Sequence, residues 1–187
     1  MPKKEIRVIG IDDAPFNKFK KGKVRVIGTV FRGGTLLEGV LSTKVSIDGN
    51  NATEKIADMI NKSKFKLQLQ CIFLDGIAVG GFNIIDVKEL NKKTKLPVIV
   101  IIRKRPDINN IKKILEKLNK KSKIKLLEKA GPITPIGNIY IQLTGLSIGK
   151  AKEILKIACT RSLIPEAVRI SHLIASGITY GESRGKA

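Results

Sequence analysis

Apolar positions along the chain fall into two rhythms. Residues 7–11, 24–31 and 37–47 are rich in β-branched side chains, and turn-forming stretches at 12–22 and 32–35 separate them. They predict three strands, and such short connections make consecutive strands antiparallel neighbours. Asp48-Gly49-Asn50-Asn51 then reads as a turn and cap, after which Ile56, Met59 and Ile60 recur at helical spacing and predict a helix to Lys62. Residues 65–74 return to strand character, closed by Gly76. Downstream, the pattern predicts a helix over 84–91, a strand over 96–102 and a helix over 108–118 whose Ile108, Ile111, Leu115 and Leu118 share a face. Residues 119–125 read as a basic connector, 131–135 as a loop, 139–143 as an edge strand, and 147–160 and 165–176 as two closing helices.

Three strands followed by helices and strands in alternation define an α/β architecture. The later strands need crossover connections and are expected to be parallel to one another, in a mixed sheet with helices packed on it. This order resembles the ribonuclease H-like fold. No internal repeat and no linker divides the chain, so a single domain over residues 1–187 is expected.

Charge changes the picture more than composition does. Lys and Arg outnumber Asp and Glu by 36 to 16, for a net charge of +20, spread in short clusters such as Lys18 to Lys23, Arg103 to Arg105 and Lys117 to Lys125. That distribution suits phosphate binding by counterion release, although a Lys-rich surface also occurs in heat-adapted proteins. A hydrophobic content of 42% argues against disorder. Cys71 and Cys159 lack both metal-ligand spacing and the density of a disulfide scaffold, and read as buried thiols in a reducing compartment. No apolar run is long enough to span a bilayer, and Met1-Pro2-Lys3-Lys4-Glu5 lacks a signal-peptide pattern, so a cytoplasmic protein is expected.

Against this basic background, the acids at element ends carry the chemistry. Asp12 follows the first predicted strand, Asp75 the fourth, and Glu54 sits in the first turn of the intervening helix. If the first and fourth strands are neighbours, their carboxylates converge at one end of the sheet and Glu54 approaches from the helix. Such hard oxygen ligands suit Mg²⁺ or Mn²⁺, which serve phosphodiester cleavage. Each acid also has an ordinary reading: Asp-Gly after a strand is a common turn, and Glu in a first helical turn complements the helix dipole. In the last helix, Ala167, Ile170, Leu173 and Ile174 make an apolar face, while Glu166, Arg169 and His172 recur at spacing three. His172, the single histidine, is therefore a candidate proton carrier or phosphate contact, or simply part of a solvated helix face.

Several motifs together carry a family resemblance. They are Ile9-Gly10-Ile11-Asp12-Asp13-Ala14-Pro15-Phe16, Phe31-Arg32-Gly33-Gly34, Leu74-Asp75-Gly76 with Gly81-Phe82-Asn83, Ile164-Pro165-Glu166-Ala167-Val168-Arg169-Ile170-Ser171-His172, and Gly181-Glu182-Ser183-Arg184-Gly185. Across nearly the whole chain they resemble the archaeal endonuclease dU family, itself similar to endonuclease V, a ribonuclease H-like, Mg²⁺-dependent nuclease acting near deaminated bases. The resemblance implies that Asp12, Glu54 and Asp75 bind metal, with Glu54 and Asp75 at the same 21-residue separation as the corresponding endonuclease V acids. It implies an active-site role for His172 and a phosphate-contact role for Arg103, at the end of Leu96-Pro97-Val98-Ile99-Val100-Ile101-Ile102-Arg103.

The chain also departs from endonuclease V. That family separates strands with a Tyr-Ile-Pro-Gly wedge, whereas the corresponding stretch near Gly33 to Gly39 has no aromatic residue. The His-Gly that commonly follows its third acid is here Ile77-Ala78. The expectation from sequence is a Mg²⁺-dependent (or Mn²⁺-dependent) DNA endonuclease acting at or near deaminated bases such as uracil. Asp12, Glu54, Asp75 and His172 would form its active site, and Arg103, Lys104 and Arg169 would contact the nucleic-acid backbone. The alternatives are a non-catalytic nucleic-acid-binding protein of the same fold and an RNA-directed endonuclease.

Overall fold

The computed structural model describes residues 5–185, so Met1 to Lys4, read above as lacking a signal-peptide pattern, lie outside the described residues. Strands β1 (Arg7–Asp13), β2 (Lys23–Arg32) and β3 (Leu36–Ser46) form an antiparallel meander. Helix α1 (Ala52–Asn61) leads across to β4 (Cys71–Asp75), which lies beside β1 and parallel to it. A small hairpin, β5 (Ala78–Val79) and β6 (Asn83–Ile84), precedes α2 (Val87–Thr94) and β7 (Val98–Ile102), which is parallel to β4. Helices α3 (Ile108–Lys117) and α4 (Lys121–Lys129) lead to the antiparallel pair β8 (Thr134–Ile136) and β9 (Ile139–Thr144). Helices α5 (Ile148–Ala158) and α6 (Glu166–Tyr180) close the chain. The main sheet has the order β3-β2-β1-β4-β7-β9-β8, mixed as expected, but β9 runs antiparallel to β7, so among the later strands only β4 and β7 are parallel to one another.

Strand alternation assigns each side of this sheet. On β1, Ile9 and Ile11 face one core together with Ile56 and Ile60 of α1 and Leu90 of α2. Val8 faces the other core, which contains Phe73 of β4, Ile99 and Ile101 of β7, Ile154 of α5 and Val168 of α6. Helix α6 comes unusually close to the sheet because small residues line the contact. A Cβ added at Gly10 would fall 2.2 Å from the carbonyl carbon of Ala167, and the Thr29 hydroxyl donates to the Ala167 carbonyl at 2.6 Å. Any larger residue at Gly10 would push α6, and the His172 it carries, off the sheet.

Several local expectations are corrected. Residues 65–68 are turns, with Gln68 N and Leu69 N both donating to the Phe65 carbonyl, and the strand begins only at Cys71, where pairing with Val8 of β1 starts. The helix expected from residue 84 begins after Asp86, whose side chain caps it by accepting from Glu89 N at 3.0 Å. Strand β9 is not the edge, because β8 pairs outside it, with Pro135 on the outermost strand where a missing ladder N–H is tolerated. The basic connector at 119–125 is largely α4. Its Lys123 is buried and gives its ammonium to the carbonyls of Asp48 at 2.9 Å, Gly49 at 2.6 Å and Phe82 at 2.5 Å. Cys71 is buried as expected, whereas Cys159 is only half-buried. Among the described residues no helix is long and apolar enough to cross a membrane.

Candidate active site at the carboxyl ends of β1 and β4

Ile11 and Leu74 pair across the parallel β1 and β4, and an aspartate follows each. Alternation sends Asp12 to the face of Val8 and Asp75 to the face of Phe73, which is the face that α6 covers. His172, on α6, completes the group: its Nδ1 lies 2.8 Å from Asp12 Oδ2. One ligand atom from each of Asp12, Asp75 and His172 lies within 4.8 Å of the others, so the three could hold one metal ion. In open α/β sheets, the carboxyl ends of adjacent parallel strands are the usual place for a binding crevice.

Electrostatics at this end are tense. Burial raises the Asp75 carboxyl above its ordinary pKa, and the neighbouring Asp12 raises it further, against the opposing pull of Arg103. Arg103 extends two residues past Ile101 onto the same face and donates to Asp75 Oδ2 at 2.8 Å. The hydrogen bond to Asp12 raises the pKa of His172, against the effect of its partial burial. His172 Nε2 is buried without a hydrogen-bond partner among the described residues. An imidazole anchored at Nδ1 by a carboxylate has its orientation fixed and its second nitrogen left for a ligand or a proton.

Glu54 does not join this cluster, which corrects the expected ligand set. Helix α1 packs on the opposite face of the sheet from α6, and Glu54 Oε2 pairs with Lys93 Nζ of α2 at 2.8 Å with its side chain more than half exposed. Glu166 departs from the expected solvated stripe: it is buried, and it holds Arg169 at 2.7 Å. That pair lines a cavity of about 250 Å³ beside the β2–β3 turn, with Gly34, Thr35 and Thr160, and so lies away from the acid cluster. Lys104 is exposed just beyond β7.

Two features of the site were not read as such from sequence. Asp13, next to Asp12, points to the other face, where Oδ2 accepts from Gly80 N at 2.7 Å and fastens the loop after β4 to β1; burial pushes its pKa up to about 6. After α6 the chain doubles back. Ser183 Oγ donates to the Leu173 carbonyl at 2.9 Å and Arg184 N to Ser176 Oγ at 2.8 Å, which brings Gly185 beside His172 Nε2. The Gly181 to Gly185 motif was visible in the sequence, but not the direction in which it folds.

The order of the main sheet and the acid pair at the ends of β1 and β4 define a ribonuclease H-like α/β protein. The fold agrees with that of endonuclease V from Ciona intestinalis, solved in complex with a 24mer DNA containing an inosine followed by a ribo-adenosine: TM-score 0.57, 15% identity, covering 89% of this chain and 82% of that one. The family is set by sequence. Residues 4–179 match the model of Endonuclease dU, and the chain belongs to that family. A UPF0215 protein of Methanothermobacter thermautotrophicus is 48% identical over 190 residues, covering 99% of this chain and 93% of the relative. A crystal structure of a protein of unknown function from Archaeoglobus fulgidus superposes with TM-score 0.87 at 42% identity, covering 93% of this chain and 98% of that one.

Proposed function

We propose that this protein is a Mg²⁺-dependent endonuclease that hydrolyses DNA phosphodiester bonds at or near deaminated bases such as uracil. The observation that carries the reading is the convergence of Asp12, Asp75 and His172 at the carboxyl ends of β1 and β4. The donor set suits a hard divalent cation: the carboxylates of Asp12 and Asp75 converge beside the His172 imidazole, whose ligand atom lies within 4.8 Å of theirs. Asp12 and Asp75 would hold the ion, which supplies positive charge for the scissile phosphate and acidifies an attacking water. Asp12 orients the His172 ring, and His172 takes up or delivers a proton at Nε2. Arg103 and Lys104, just past the end of β7, supply cationic contacts to the strand. Deaminated bases enter from the family resemblance and from the inosine-containing DNA bound by the Ciona endonuclease V.

The test is incubation of the purified protein with labelled single-stranded and duplex DNA and RNA carrying uracil, inosine or no lesion, with Mg²⁺ or with a chelator. Incision of lesion-bearing DNA in Mg²⁺ alone is expected. Incision of RNA only would move the activity to the RNA-directed alternative.

A second reading, a nucleic-acid-binding protein without catalysis, is favoured by two observations: Asp75 is already engaged by Arg103, and Glu54 is turned away. Under that reading the same panel shows binding of DNA and no incision under any metal condition.

A further inference from the structure

The β1–β2 loop begins directly after Asp12 and Asp13 and carries two phenylalanines with opposite fates. Phe16 packs against the core, whereas Phe19 is 89% exposed. The loop is folded to present Phe19: Asn17 Oδ1 accepts from Phe19 N at 2.9 Å and the Asn17 carbonyl accepts from Lys20 N at 3.1 Å, which makes a self-bonded turn. Facing it is the end of α6, where Tyr180 is 49% exposed. Between them lies an open groove of about 560 Å³, lined by Pro15, Phe16, Lys18, Phe19, Thr179 and Tyr180. Each ring carries a cation, with Lys18 Nζ 5.7 Å from the Phe19 centroid and the Arg184 guanidinium 5.0 Å from that of Tyr180.

Charge decides what such a groove suits. From Ala14 to Leu37 the chain contains no Asp or Glu, while Lys18, Lys20, Lys21, Lys23 and Arg25 flank Phe19 along the sequence and Lys18 lines the groove. Protein interfaces deplete lysine at their centres, whereas exposed aromatics set among cations are the arrangement that binds unpaired bases and tracks their phosphates. Bases in a duplex are already stacked, so only an unpaired base offers both faces. Tyr180 lies eight residues beyond His172 on α6, about 12 Å along the axis. That spans roughly three to four base steps of a DNA strand.

We propose that the groove between Phe19 and Tyr180 is a stacking site for an unpaired base of the DNA strand entering the Asp12–Asp75–His172 cluster. This rests on the nuclease reading, and it adds a single-strand subsite to one flank of the cluster. The groove gives affinity through ring faces and lysine charge, with no hydrogen-bond reading of base identity, so it accepts any base.

The experiment is fluorescence titration of a single-stranded DNA oligonucleotide bearing one fluorescent adenine analogue, in chelator so that nothing is cut. Phe19→Ala and Tyr180→Ala should each weaken binding roughly 5- to 100-fold and reduce the stacking-induced quenching. Phe19→Trp should bind like wild type, and Phe19→Leu, apolar but without a ring, should bind like the alanine variant. Leu67→Ala, at a position 97% exposed on a different loop, should change nothing. The slope of log affinity against log salt should be unaltered in the aromatic variants and shallower by about 0.7 in Lys20→Ala. Wild-type affinity in Phe19→Ala and Tyr180→Ala, or in Phe19→Leu, overturns the stacking site and leaves the nuclease reading standing. No binding by the wild type overturns both. Concentration-dependent self-association lost in Phe19→Ala, with DNA binding intact, would instead assign the groove to a second copy of the chain.

Discussion

The two ends of β1 carry opposite charge arrangements. At its start, Glu38 of β3 takes Arg7 Nε at 2.6 Å and Arg32 Nε at 2.6 Å, so two guanidinium groups converge on one acid. The hydrogen bond from Arg7 is the chief reason the Glu38 carboxyl lies below its ordinary pKa. At its finish, Asp12, Asp13 and Asp75 gather, and burial raises the pKa of Asp13 and Asp75. In a chain of net charge +20, the second arrangement concentrates acid where cations are abundant elsewhere. The first end serves the fold. The second costs stability, and acids kept in that state are a mark of a site whose negative charge has a use in binding or catalysis.

The largest expected effect breaks the comparison at the acidic end. Asp12→Asn or Asp75→Asn should reduce Mg²⁺-dependent incision on the order of 10³-fold or more, since the several kcal/mol a bound cation contributes would be lost. DNA affinity should stay similar or rise, because a negative charge near the phosphates is removed. Equal nicking by wild type and both variants, read on a labelled substrate, would assign the activity to a contaminant.

His172→Ala comes next. A general acid or base contributes on the order of 10² to 10⁴ in rate and a positioning group less, so a loss of at least about tenfold at neutral pH is expected. The packed face of α6, built from Ala167, Val168, Ser171 and Ala175, is untouched, so the helix should stay folded, with the melting temperature lowered only by loss of the hydrogen bond to Asp12. An unchanged rate and an unchanged pH profile would return His172 to the surface.

At the basic end the smallest effect is expected, and it falls on stability alone. Glu38→Gln should lower Tm by about 2–4 °C at pH 7, in line with loss of roughly 1 kcal/mol of charge-assisted hydrogen bonding. Because the folded-state pKa of Glu38 is lowered, its contribution is present above the unfolded value near 4.3 and is lost as pH falls through the lower folded one. The difference between variant and wild type should therefore close below about pH 4 in a series of thermal melts. A difference that persists there would show that packing, not charge, gives Glu38 its effect.

How much of this was legible depends on which physical rule each residue obeys. Asp12 and Asp75 could be placed from sequence because strand alternation and strand ends are local properties, and the β1–β4 adjacency follows from the fold's strand order. Glu54 was misplaced because helix spacing shows which face of α1 is apolar but not which side of the sheet the helix covers; that is decided by the α1–α2 packing and the Lys93 pair. Helix α4 was hidden by its lysines, since Lys123 is buried only through carbonyls more than forty residues distant in sequence, from Asp48, Gly49 and Phe82. Glu166 was hidden similarly, by a tertiary cavity that no periodicity encodes.

The measurement closest to the central claim is Mn²⁺ binding followed by electron paramagnetic resonance, without substrate or turnover. The wild type should bind one ion per chain, Asp12→Asn and Asp75→Asn should weaken it by about tenfold or more, and Glu54→Gln should leave it unchanged. Loss of the ion in Glu54→Gln with full binding in Asp12→Asn would contradict the site as described.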